Sequence, residues 1–178
     1  MSVALGGGAA ILMRIGLFGG NMRAPALLYT LAAVLALAGS GARAAPASKQ
    51  QVLTERQALM KRQARDLGAV KGYLDGKLDQ AKAVAAAVDL TRTMRMIPAV
   101  FPPGTAGPGP DGKFAAKPAI WADWQDFLAH RNAAAAKVDT LVAAVKSGER
   151  ARIKTAFVDL GKNGCGACHD KFREKLEK

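Results

Sequence analysis

The chain has 178 residues, half of them hydrophobic, enough for one domain of ordinary size with a buried core. Alanine, leucine, lysine and valine dominate and β-branched runs are scarce, which favours helices over sheet. The net charge of +12 suits acidic partners by electrostatic steering. Nucleic acid is set aside, because the lysines are spread along helices without an interleaved aromatic stripe.

The first 44 residues read as a targeting segment. Met22-Arg23 precedes an apolar stretch of 13 residues, Ala26 to Ala38, and the small-x-small triplet Ala42-Arg43-Ala44 follows. A basic start, a short apolar core and such a triplet make a secretory signal peptide cut after Ala44, with Met22 an alternative initiator to Met1. A membrane anchor needs about 20 apolar residues, so no permanent anchor is expected. Residues 1–44 hold Arg14, Arg23 and Arg43 and no acid, so the exported chain keeps 23 basic and 14 acidic residues, a net of +9.

Residues 49 to 74 lack proline, and Leu53, Met60, Leu67 and Leu74 recur every seven residues, the stripe of a long amphipathic helix. Gly76 punctuates it. Leu78, Ala81, Ala85 and Val88 mark a second helix, ending near Ile97-Pro98 because the residue before proline avoids helical geometry. Residues 98–118 hold Pro98, Pro102, Pro103, Pro108, Pro110 and Pro118 with four glycines, and read as a long irregular connection without strands. A third helix is expected from about Ala119 to Lys146, with Ile120, Trp124, Phe127, Ala134, Val138, Leu141 and Val145 as its stripe. Ser147-Gly148 breaks it. A fourth runs from about Glu149 to Leu176, with Ile153, Phe157, Leu160, Gly164, Cys168 and Phe172 on one face. Short, long and short connections between four helices predict an all-α fold over residues 45–178, an antiparallel four-helix bundle.

The only two cysteines stand in Cys165-Gly166-Ala167-Cys168-His169. Cys-x-x-Cys-His is the spacing of c-type haem attachment: the cysteines add to the vinyl groups as thioethers, and the histidine supplies the proximal iron ligand. On a helix Cys165, Cys168 and His169 stand at i, i+3 and i+4 and point roughly the same way. Gly161, Gly164, Gly166 and Ala167 keep the backbone slim for a flat ring. A zinc site would want a fourth ligand, and His130, the only other histidine, reads as a surface residue beside Arg131 and Asn132. A thioredoxin-like redox pair lacks its βαβ setting. One covalent haem c is therefore the expected cofactor.

With these residues in place, the chain resembles the class II c-type cytochromes, the cytochrome c′ family, over residues 48–176. Arg56-Gln57-Ala58-Leu59-Met60-Lys61 is similar to the family's first-helix signature, Pro118-Ala119-Ile120-Trp121 to the opening of its third helix, and Cys165 to Arg173 to its haem segment. The resemblance implies a four-helix bundle with the haem on the last helix, and a monomer or a homodimer using the first two helices. Haem attachment of this kind takes place outside the bacterial cytoplasm, which agrees with the signal and implies a periplasmic protein.

The resemblance also places Met60 on the distal side of the iron. In that family the distal residue either leaves the iron five-coordinate and high-spin, open to NO or CO, or binds it through methionine sulfur in low-spin electron carriers. Met60 is a thioether suited to haem iron, and also a common gap-filler on a leucine stripe; Met94 and Met96 are weaker candidates. The expectation is closest to the low-spin members: a monohaem electron carrier, not an enzyme, with His169 and Met60 as axial ligands, serving redox proteins with acidic docking surfaces. No polar acid or base is visible near Met60. The alternative is a five-coordinate protein that binds or scavenges nitric oxide. The resemblance further implies Arg56 and Gln57 near the haem propionates, a good match of guanidinium and carboxylate, with a solvated helix-face charge as the other reading of Arg56. It puts Arg173 in the proximal environment. Trp121, Trp124 and Phe127 are expected to pack in the core or against the haem.

Overall fold

The computed structural model describes residues 47–177, and the expected signal peptide, residues 1–44, lies outside them. Helix α1 (Lys49–Leu74) spans the range its leucine stripe predicted. Ser48 caps it, its hydroxyl accepting from the Gln51 N–H at 3.2 Å. Helix α2 (Gln80–Met96) is capped by Asp79, which accepts from the Lys82 N–H at 2.8 Å. A 3₁₀ turn, Ile97–Val100, follows; Pro98 is tolerated in its first positions, where no N–H is needed.

The third predicted helix is divided. Helix α3 (Ala119–Ala122) is a single turn, and Asp123, at φ −137°, leaves helical geometry. Its carboxylate accepts from the Asp126 N–H at 3.0 Å and caps a fresh helix, α4 (Trp124–Ser147). The apolar stripe runs straight through the break, which concealed it. Gly148, at φ 74°, ends α4 in the left-handed region.

The fourth predicted helix is divided too. Helix α5 (Arg150–Asp159) passes into a π-helical stretch, Leu160–Gly166, and then into α6 (Ala167–Phe172). Beyond Phe172, where a helix to Leu176 was expected, the chain forms strand β3 (Arg173–Lys175). It pairs antiparallel with β2 (Phe114–Ala116), with Ala116 opposite Arg173. Strand β1 (Gly107–Pro108) lies on the other side of β2. The Lys117 N–H to Phe172 O bond (3.0 Å) and the Leu176 N–H to Lys113 O bond (2.9 Å) extend the seam. The connection expected to be irregular and strandless is thus stitched to the end of the motif helix. Strands of two or three residues are too short to show a period of two in the sequence.

α1 packs on α2, α2 on α4, and α4 on α5, the π stretch and α6, closing the antiparallel four-helix bundle. Val70, Leu90, Val138, Leu141, Ile153 and Leu160 are almost fully buried at its centre. Among the described residues, no helix is long and apolar enough to cross a membrane.

A carboxylate pair bridges α1 and α2. Arg62 grips Asp89 with two bonds (2.6 and 2.9 Å), and Arg92 adds its own (2.9 and 3.0 Å). Asp66, one turn beyond Arg62, has its Oδ2 buried without a partner among the described residues. Burial first, then repulsion from Asp89, raises its pKa from 3.8 to about 6, against the pull of Arg62 and Arg65. The folded chain therefore holds this proton more tightly than the unfolded chain. Its contribution to stability falls as the pH rises from 3.8 to about 6 and stays lost above. Thermal melts of Asp66→Asn and the parent should diverge across that interval, the variant gaining relative stability as the pH rises. Parallel curves would mean a freely solvated carboxyl.

Candidate haem site

Cys165 lies at the end of the π stretch, and Cys168 and His169 in the first turns of α6. The π turn bonds i to i+5, which brings Gly166 under Gly161. A Cβ at Gly166 would stand 3.1 Å from the Gly161 carbonyl oxygen, and one at Gly164 would stand 2.9 Å from Leu160 and 3.5 Å from the Ala134 backbone on α4. These two glycines therefore serve the π turn and its packing on α4, a role the sequence reading had not assigned them.

All three motif residues line one cavity of about 330 Å³, a size within the range of roughly 300–1,000 Å³ usual for cofactor pockets. Its walls are largely apolar: Leu53 and Met60 from α1, Met94 from α2, Phe127 and Ala134 from α4, and Phe172. Phe127 centres an aromatic cluster, 5.0 Å from Phe101 and 5.3 Å edge-on from Phe172 on the wall, and 5.1 Å from Trp124 behind it. Trp121 donates its indole N–H to the Phe101 carbonyl at 3.0 Å.

Burial pushes the Cys168 thiol up to about 11, with Cys165 and Asp126 adding to it, and raises Cys165 as well. Burial first, then the positive charge of Arg173, pushes His169 down to about 4. The imidazole is neutral at pH 7 and keeps a lone pair for a metal. Among the described residues no three His, Cys, Asp or Glu side chains converge on a metal-sized point. His130 does not line the cavity. It is half-buried rather than on the surface as expected, its Nδ1 2.9 Å from the Asp126 carbonyl and its ring edge-on to Phe172 at 5.3 Å. The fourth ligand that zinc would need is therefore missing.

Arg56 corrects the reading of a solvated charge, for it is only 7% exposed. Its Nε donates to the Val100 carbonyl and its Nη1 to the Thr105 carbonyl, both at 2.9 Å, while Nη2 donates to Thr105 Oγ1. The guanidinium stacks 4.1 Å over Phe101. Burial pulls its pKa down to about 10, which leaves it charged at neutral pH. Most of its fork is thus committed to the turn before β1, although the residue still lines the cavity. Gln57 lines it too, half-buried against Gly109. Arg173 opens β3, stacks 4.4 Å over Phe114 and lies close enough to His169 to shift its proton. The structure therefore brings Arg173, His169, both cysteines, Met60, Gln57 and Arg56 to one cavity.

Two lining residues escaped sequence reasoning. Arg131 has its Nε buried without a partner among the described residues. Its signal was its place on the α4 stripe, four residues after Phe127 and three before Ala134. Gln63, three residues after Met60, is 8% exposed, and its Nε2 is likewise buried without a partner. Gln63 is a neutral amide, so it adds a polar group beside Met60 without supplying an acid or base. Its signal was the heptad: Arg56 and Gln63 occupy the alternate core positions between Leu53, Met60 and Leu67.

These residues fit a covalent haem. Cys165 and Cys168 would hold its vinyl carbons and His169 its iron. Arg56, Lys61, Arg131 and Arg173, opposed among the lining residues by Asp111 alone, would suit two propionates. The group, when bound, supplies an iron centre for electrons or a small ligand.

The motif's position on the last helix of a bundle makes this a four-helix c-type cytochrome. The family profile described as Cytochrome C' matches residues 51–173. The cytochrome c′ of Rubrivivax gelatinosus is 41% identical over 115 residues, 63% of this chain and 85% of that one. The crystal structure of cytochrome c′ from Thermochromatium tepidum superposes with a TM-score of 0.65 at 29% identity, covering 74% of this chain and 100% of that one. A nitric oxide complex of a cytochrome c prime variant from Alcaligenes xylosoxidans gives 0.62 at 30% identity, covering 72% and 98%. The chain belongs to the cytochrome c′ family and is a monohaem c-type cytochrome with one covalently attached haem c. The expected closeness to the low-spin, His/Met-ligated members is not supported, since cytochromes c′ are typically high-spin.

Proposed function

We propose that this protein is a periplasmic cytochrome c′ whose five-coordinate iron binds nitric oxide, a binding protein and not an enzyme. His169 is the proximal ligand, Cys165 and Cys168 carry the haem, and Met60 covers the distal face without binding iron. The observation that carries this reading is the setting of Met60, packed against the hydrophobic core on the same stripe as Leu67 and Leu74. A thioether held by core contacts fills space whether or not a metal is near. The nitric oxide complex of the Alcaligenes relative supports the ligand class. His169, neutral in its buried setting, presents its lone pair, while Phe127 and Phe172 limit water on the cavity wall. Arg131, Gln57 and the uncommitted N–H groups of Arg56, which line the same cavity, would suit the propionates. The homodimer that the resemblance implies would use α1 and α2, where Val88 and Met96 are exposed.

The optical spectrum tests this. The ferric protein should be high-spin, and nitric oxide should shift the ferrous spectrum. Met60→Ala should keep the high-spin spectrum and bind nitric oxide faster. A low-spin ferric spectrum with the far-red sulfur-to-iron band, lost in Met60→Ala, would sink the proposal. Electron exchange with an acidic-surfaced redox partner is the second reading, favoured by the net charge of +9 that residues 45–178 carry. Its sign would be an exchange rate that falls steeply with salt.

A further inference from the structure

We propose that Gln63 donates a hydrogen bond to a diatomic ligand on the distal side of the haem cavity, an inference that rests on the five-coordinate reading above. Gln63 follows Met60 by three residues on α1, so the two side chains share one helix face. It is 8% exposed and lines the cavity together with Met60 and Met94. Its Nε2 is buried and has no hydrogen-bond partner among the described residues. A buried donor without a partner is costly, and buried polar groups are almost always bonded. Leucine at this core position would carry no such cost. A donor kept in this state suits a guest that brings the acceptor.

The chemistry of the neighbours narrows the guest. Arg56 donates to Val100 and Thr105. Arg131, on α4, is a cation and suits a carboxylate. The amide of Gln63 is neutral, and the wall around it is apolar, with Leu53, Met60 and Phe127 among its members. A neutral donor in an apolar pocket fits a small uncharged molecule with a weak acceptor at its outer end, the character of nitric oxide and carbon monoxide. Charged anions would lack a counter-charge from this residue.

Carbon monoxide on the ferrous holoprotein is the probe, read by its infrared stretching frequency and its dissociation rate. Gln63→Leu is compared with Gln63, in the parent and in a Met60→Ala background whose distal side is open whether or not Met60 binds iron. Gln63→Met repeats the comparison with a volume closer to that of glutamine. In both backgrounds, loss of the amide should raise the C–O frequency and speed release roughly three- to tenfold, the factor of one hydrogen bond. An unchanged frequency and rate in the Met60→Ala background overturns the role of Gln63. Carbon monoxide taken up by Met60→Ala but refused by the parent overturns the five-coordinate reading alone, and the Gln63 comparison in the open background still decides this proposal.

Discussion

Protein in which both Cys165 and Cys168 are replaced by serine should yield all of its haem to acid extraction, where the parent keeps it bound. Thioether bonds survive acid, whereas a histidine–iron bond does not survive protonation of the ring. Cys165 and Cys168 are the only cysteines, so no other thiol can substitute. Both line the cavity with His169, so the variant can still bind haem loosely in the same place. Covalent haem remaining in the double variant would refute the assignment. Each single variant should retain one thioether and a shifted spectrum, because one vinyl group stays conjugated.

Arg56→Met should destabilise the fold by about 3 kcal/mol in denaturant unfolding of the holoprotein, since buried acceptors that lose their donor cost roughly 1–3 kcal/mol each. Two carbonyls, Val100 O and Thr105 O, are left unpaired, and the stacking on Phe101 goes with them. The loss is tempered because the guanidinium no longer has to be desolvated. Arg56→Lys should recover little, since an ammonium cannot reach both carbonyls as the planar fork does. Phe101 sits 5.0 Å from Phe127 on the cavity wall, so both variants should also broaden the haem's visible spectrum. A loss under about 1 kcal/mol would mean that the bonds merely offset the burial of the charge.

What could be read from the sequence followed the strength of local signals. Helix α1 came out at its observed ends because a proline-free heptad run starts after a serine cap and stops before glycine. The motif cysteines, His169 and Met60 were identifiable from spacing and resemblance, and they meet at one cavity. The breaks were less legible. Asp123 interrupts an apolar stripe that keeps its phase, and the π stretch rests on close approaches at Gly164 and Gly166 rather than on any periodic pattern. The sheet depends on backbone bonds between distant segments, which leave little mark in side-chain order. Arg56, Gln63 and Arg131 shared one difficulty: a polar residue on a core stripe reads as an interruption until the cavity it faces is known.

The short sheet bears on the order of events as the chain folds. Ala116 and Arg173 are partners across it, yet α3, α4, α5 and the whole motif segment lie between them. Closing so long a loop has an entropic cost, and contacts of this kind form later than helical ones. Until β3 pairs with β2, the end of α6 lacks its backbone partners on the connection between α2 and α3. Once it docks, Lys117 and Leu176 fasten the segment on both sides. The sheet is therefore a latch of the late, non-local kind: its closure fastens the motif segment to a strand more than fifty residues upstream.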